Sequence, residues 1–484
     1  MSRAVESLRI GNGAGFWGDN LDAPIRLAEA GGLDFLTLEY LAELTLSILA
    51  HQRRRDPAAG YVPDFPDTVA RMIPLLKAQP NLRIVTNAGG LNPEACARAT
   101  AKHLAGAGLG AVKIAWVTGD DLQPRLAELR GAGEAFGHFD APERGLPGEF
   151  TSANAYLGAK PICGALDQGA RIVITGRVAD ASLTVGPVMH AFRWAWDDWD
   201  KLATASLAGH LIECGAQVTG GLRTRWRGVP DFARIGYPIA VLSRAGECLI
   251  TKAVGSGGVV DRESVSGQLL YEIGDPARYH TPDVTLDMTS VEIEDLGRDI
   301  VKVSGAKGIP PPETLKVSCA FANGYAAKGD LVVCGADAAD KARACGEMIL
   351  ERTKLGGYPL ARSEIELLGT EAALPGGFTA DGPFAAYAAP AQALGAAGGM
   401  PPREVVLRVS AWDKDKAAVE RFCREFSPLI TAGPPGITGY AGARPKPRPV
   451  LSYWPSKVSR ARVPARVDLK SAEELAAGPQ REAA

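Results

Sequence analysis

Short apolar runs alternate with longer segments of helical period through the first part of the chain. The runs near 8–10, 33–40, 82–87, 111–117 and 170–175 read as strands. Between them, 41–50, 67–79 and 93–107 carry helical periodicity. This order predicts an α/β fold with a mainly parallel sheet and flanking helices. The stretch at 152–156 reads as the start of a further helix, and 202–214 as another. A β-rich segment follows over about 235–335, opening with a hairpin of 239–244 and 248–254 around Ala245-Gly246-Glu247. Alanine, glycine and proline then crowd 359–402, which reads as a linker. Beyond it, a strand at 404–411, a helix at 414–426 and a strand at 450–454 predict a small α+β, ferredoxin-like module. The expected division is therefore an α/β domain over 1–358, a module over 403–470 and a frayed tail over 471–484.

Composition narrows the class. The 484 residues are 46% hydrophobic and 22% charged, enough for a large packed core. A formal net charge of −2 argues against a general nucleic-acid binder. The eight cysteines form no CxxC pair, so no metal site or redox pair is expected. The first residues lack a signal-peptide core and no apolar run reaches spanning length, so a cytoplasmic protein without membrane contact is expected.

The candidate chemistry lies in loops that follow the strands. Gly13, Gly15 and Gly18 match GxGxxG, and Glu39 stands near the ribose-binding position of a dinucleotide site. Such glycines let amide hydrogens face an anion or oxyanion, with Asp19 or Asn20 capping the helix behind them. In a parallel sheet, Glu39, Asn87 and Asp120 share one crevice at the strand C-termini. Arg177 either grips a carboxylate or phosphate or pairs with Asp180. Lys252 precedes the glycine-rich turn at 255–258, a phosphate nest by type. The loop at 274–283 gathers Asp275, Tyr279, His280 and Asp283. The long loop at 131–153 reads as a lid or subunit contact. The aromatic stretch 194–199 reads as a surface hinge or dimer contact, and His210 as a helix-surface or subunit-contact residue one turn from Glu213.

Several ordered segments resemble the acyclic terpene utilisation AtuA family. They are GNGAGFWGD at 11–19, LEYLAE at 38–43, TNAG at 86–89, ITGRVAD at 174–180, QLLYEI at 268–273 with Asp275-Pro276, and PDV at 282–284. The resemblance covers most of the chain, and the C-terminal part is similar to the family's ferredoxin-like appendage. It implies catabolism of branched acids as coenzyme A thioesters. The expected function is a lyase or hydratase on an acyl-CoA or related carboxylic acid, working as a homo-oligomer with no cofactor beyond the thioester substrate. Glu39 and Asp180 would move protons, with Arg177 beside them. Gly13, Gly15, Gly18, Asp19, Asn87, Lys252 and Asp275 would hold substrate. Two alternatives stand: a non-catalytic assembly subunit of an acyl-CoA pathway complex, and an NAD(P)- or flavin-dependent oxidoreductase.

Overall fold

A computed structural model describes residues 5–370, 402–439 and 444–478. The chain divides into two compact units, one of residues 1–321 with 453–484 and one of 322–452.

The first unit is built on strands whose residues are apolar on both faces. These are β1 (Ser7–Asn12), β2 (Phe35–Leu38), β3 (Arg83–Thr86), β4 (Lys113–Thr118) and β6 (Ile172–Thr175). All residues of β2 and β6 are buried, as a strand covered by helices on both sides requires. Side chains alternate between two cores: Val173 joins one, while Ile172 and Ile174 join the other. The parallel order is β1-β2-β3-β6-β4, so β6 slots between two strands that precede it in sequence.

The sheet is mixed rather than mainly parallel. On one side β1 pairs antiparallel with β7 (Pro238–Ser243), which pairs with β8 (Cys248–Lys252). Val301–Ser304 and Glu292–Asp295 extend that edge, also antiparallel. The β-rich segment thus largely completes the same sheet. Hairpins need only short turns, so the chain adds antiparallel strands once its helical crossovers end.

Two further expectations change. Residues 152–155 belong to a strand, β5 (Phe150–Ala155), which pairs antiparallel with 317–321 of the long strand Thr314–Cys334. Partnering by a distant strand outweighs the weak local preference. The tail is not frayed through 478: Arg466–Ser471 pairs antiparallel with β4, and the helix Ala472–Ala476 buries Ala472 and Leu475.

The second unit runs strand, helix, strand, strand, helix. Glu404–Asp413 lies antiparallel between residues 325–334 and Arg362–Leu368. Helices Ala338–Leu355 and Lys416–Arg424 supply Cys345, Ile349, Val419 and Phe422 to its core. The expected linker therefore begins with a paired strand, and its remainder over 371–401 lies outside the described residues. The unit also starts earlier than the module expected over 403–470.

The glycine loop after β1 shows how closely the first unit packs. A Cβ on Gly15 would stand 2.8 Å from the Cys214 carbonyl carbon, at the end of helix Trp199–Glu213. Phe16, its neighbour, is 52% exposed. Gly15→Ala is expected to destabilise the protein by about 1–3 kcal/mol through overpacking. Phe16→Ala is expected to stay within about 0.5 kcal/mol. Paired urea titrations check the contrast.

Candidate active site

Four parallel strands end in polar residues, and burial dictates how those residues pair. Glu39 follows β2 and is only 4% exposed. One carboxylate oxygen accepts the Leu41 amide at 2.7 Å, and the other accepts the Asn87 side-chain amide. Asn87, just after β3, accepts the Tyr40 amide at 2.8 Å through its own oxygen. Arg177, after β6, is fully buried and donates to the Leu41 carbonyl and to Asp180. Its guanidinium also lies 4.2 Å from the Tyr156 ring centre. Asp120, after β4, accepts the Arg177 amide at 2.8 Å and the Asn154 side-chain amide at 2.9 Å. Gly176 is required there, because a Cβ would stand 2.5 Å from Asp120 Oδ1.

Burial pushes the Glu39 carboxyl well above its usual range, and the nearby Asp180 charge adds to this against Arg177 and Asn87. Burial likewise pushes Asp120 up to about 7, against the hydrogen bonds from Arg177 and Asn154.

A cavity of about 530 Å³ opens beside this network, lined by Asp180, Glu213, Glu272, Tyr156, Tyr279 and His280. Lys316 and Lys457 add two cations to its wall, and Phe139 an exposed ring. Phe139 comes from the long loop predicted as a lid, whose backbone is tied to Pro455 by a 2.8 Å hydrogen bond. Glu213 closes the helix Trp199–Glu213 with its side chain 13% exposed. Its Oε1 lies 3.1 Å from His210 Nδ1, and His210 Nε2 lies 3.2 Å from the Leu269 carbonyl. Burial drives the Glu213 carboxyl up to about 7 despite the histidine. Burial disfavours the His210 cation, yet Glu213 outweighs it and the histidine is raised overall. Tyr279 packs against His210 in a tilted contact with ring centres 5.7 Å apart. Burial first, then the Glu213 and Asp180 charges, hold its hydroxyl well above the ordinary tyrosine range.

The predicted residues therefore separate. Hydrogen bonds bring Glu39, Asn87, Arg177, Asp120 and Asp180 into one network, but only Asp180 reaches the cavity. Tyr279 and His280 line it too, while Asp283 is buried against the Ala159 amide and Ser182.

The glycine loop is not an oxyanion cradle. The Gly13 amide donates to the Thr37 carbonyl at 2.9 Å, and the Gly15 amide to Asp19 at 2.8 Å. Asp19 also accepts the Tyr237 hydroxyl and does not cap the following helix, Ala23–Glu29. Asn12 fastens the loop to the helix end through the Ile212 and Glu213 carbonyls, at 2.7 and 3.0 Å. Gly18 stands clear with a φ of 99°. A GxGxxG loop holds pyrophosphate through open amides, and here two of its three glycines are closed internally.

Lys252 is buried against Asp299 at 3.0 Å and the Ser256 carbonyl at 2.9 Å, so the nest lacks an available ammonium. Asp275 only accepts the Ala277 amide at 2.9 Å within an exposed turn. His210 is buried rather than on the helix surface, and Trp194 is buried and donates to the Arg244 carbonyl. Among the described residues, no group of three or more His, Cys, Asp and Glu could hold a metal ion. No helix among them is long and apolar enough to cross a membrane.

Sequence reasoning missed Glu213 as the central acid, and missed Glu272, Tyr156, Lys316 and Lys457 altogether. Only the His210–Glu213 spacing, one helical turn, signalled the first of these.

Asp120 and Glu213 bind protons more tightly folded than unfolded, so the stability they give is present below about pH 4 and is lost as pH rises through about 7. The melting temperature is expected to fall across that window. Asp120→Asn should flatten the fall, because one amide oxygen in place of Oδ2 can still accept both the Arg177 amide and the Asn154 side-chain amide. Thermal melts at pH 4.5, 6 and 7.5 check it.

Neither the curated proteins nor the solved structures contain a match to the chain. Residues 8–469 match the profile described as acyclic terpene utilisation family protein AtuA. That match spans nearly all of both compact units, from within β1 into the closing strand Arg466–Ser471. The chain belongs to the acyclic terpene utilisation AtuA family.

Proposed function

We propose that this protein is a catabolic enzyme that adds water to, or removes it from, a branched or terpenoid acyl-CoA. The family's tie to acyclic terpene utilisation supports this substrate class. One observation carries the chemistry: a partly accessible carboxyl raised to about 7, Glu213, faces the same cavity as Asp180. Two acids in different environments suit a reaction needing one donor and one acceptor of protons.

In the hydration direction, Asp180 takes a proton from water as its oxygen adds to the β carbon. Protonated Glu213 gives its proton to the α carbon, and elimination is the reverse. Lys316 and Lys457 would hold the thioester oxygen or a substrate carboxylate. The volume of about 530 Å³ suits the acyl portion and leaves the nucleotide end outside. Glu39 is reassigned from proton transfer to positioning, because both its oxygens are occupied by Leu41 and Asn87. We also read the 322–452 unit as ferredoxin-like. Its strand-helix-strand-strand-helix order supports this, as does the pairing of Arg448–Ser459 with Thr314–Cys334.

Glu213→Gln is expected to lower kcat about 10²–10⁴-fold on a branched enoyl-CoA while the fold is kept. Hydration assays with circular dichroism check it, and an unchanged kcat removes the assignment. The wild-type pH–rate profile should show a limb near 7 that is lost in that variant. No thermal shift with any branched acyl-CoA would sink the substrate class.

A further inference from the structure

The opposite edge of the central sheet carries a second cavity, larger than the first, at about 930 Å³. It lies where the parallel strands begin, and its floor includes Leu8, Phe35 and Val112. Its wall holds five cationic side chains, Arg83, Lys113, Arg171, Arg193 and Arg244, against one carboxylate, Asp34. In a chain of net charge −2, that is a marked local excess of positive charge.

The cations are placed by the sheet. Arg83 opens β3, Lys113 opens β4, and Arg171 immediately precedes β6, which lies between them. The Arg171 amide donates to the Lys113 carbonyl at 2.9 Å, and the Ile84 amide donates to the Arg171 carbonyl at 2.9 Å. Adjacent strands lie about 4.8 Å apart, so these three positions form a row that can meet neighbouring anionic groups.

The charges are only partly cancelled within the cavity. Arg171 donates to the Leu76, Gln79 and Leu82 carbonyls, and Arg244 to those of Val5 and Phe192, so both are fixed by neutral acceptors. Asp34 is turned to the Arg9 amide at 2.8 Å. Arg83 stands against Phe35 and donates to His190, whose other nitrogen faces Asp167 at 2.5 Å. Asp167 also pairs with Arg193 at 2.6 Å, so its one charge serves the histidine and an arginine together. Burial lowers the pKa of Arg83 and of Arg171, the mark of cations held partly out of water without a full counterion. An anion entering the cavity relieves that cost and gains charge-assisted hydrogen bonds.

We propose that this cavity is a second binding site, for a small phosphorylated molecule with at least two negative charges, lying at the strand ends opposite the acidic cavity. Arg83, Lys113 and Arg193 supply the donors, while Arg171 and Arg244 add charge from fixed positions. The acidic cavity, with Asp180, Glu213 and Glu272 on its wall, is the wrong sign for such a ligand.

Calorimetric titration of the full chain with pyrophosphate and with ADP, at 50 mM salt, tests the proposal. Saturable one-site binding is expected, weakening at 300 mM salt. Lys113→Met and Arg193→Gln should each reduce affinity about ten-fold or more, as loss of a charged hydrogen bond does. Both residues lie toward the surface, so the variants should keep the wild-type melting temperature. Binding of ADP but not pyrophosphate would select a nucleotide, and equal binding a phosphate group alone; either supports the site. Absence of saturable binding by both probes overturns it. So does binding that survives both variants, or that is lost in Lys316→Met, which would place the ligand in the acidic cavity.

Discussion

The structure depends on how the buried Glu39 carboxylate is satisfied. A carboxyl taken out of water is costly unless each oxygen finds a donor. Glu39 finds one in Leu41 and one in Asn87, and Arg177 reaches the carbonyl of that same Leu41. The acid at the end of β2 is thereby joined to the residues that end β3 and β6. Asp120 joins the end of β4 through the Arg177 amide. These bonds hold the strand ends in one arrangement, although the buried Asn154 Oδ1 beside Asp120 has no hydrogen-bond partner among the described residues. Asp180 inherits that rigidity through its pair with Arg177, and so one wall of the acidic cavity is set before a ligand arrives.

Glycine serves packing here more than recognition. Gly13 and Gly15 let the loop after β1 press against Pro24 and the Cys214 backbone, where a methyl group would stand 2.8 Å away. Asn12 then fixes that loop to the Glu213 carbonyl. The loop's contribution to the site is indirect: it holds the C-terminal end of the helix that presents Glu213. Gly176 serves in the same way beneath Asp120. Glycine spacing on the page of a sequence does not say which of these uses applies, because both need close backbone approach.

What was legible in the sequence followed from local periodicity. The buried strands, the helices between them and the placing of Glu39, Asn87 and Asp120 at one edge all follow from strand-helix alternation and the rule that strand C-termini share an edge. What was not legible depended on distant partners. The β5 residues become a strand only because 317–321 lie beside them. Arg466–Ser471 is ordered because β4 has an open edge. Lys252 looked available until Asp299, far along the chain, closed on it. Glu213, Lys316 and Lys457 converge on one cavity from segments with no shared pattern.

Accessibility then separates acids that burial has treated alike. Glu39, Asp120 and Glu213 are all raised by desolvation. Glu39 and Asp120 are enclosed by donors that must be displaced before either could exchange a proton with a ligand. Glu213 has a histidine on one side and the cavity on the other, so its proton has somewhere to go. A raised pKa marks stored electrostatic cost, and it becomes chemistry only where a path to a reactant exists. By that criterion the buried network is the frame that fixes Asp180, and Glu213, at the helix end held by Asn12, is the raised acid with a path to the cavity.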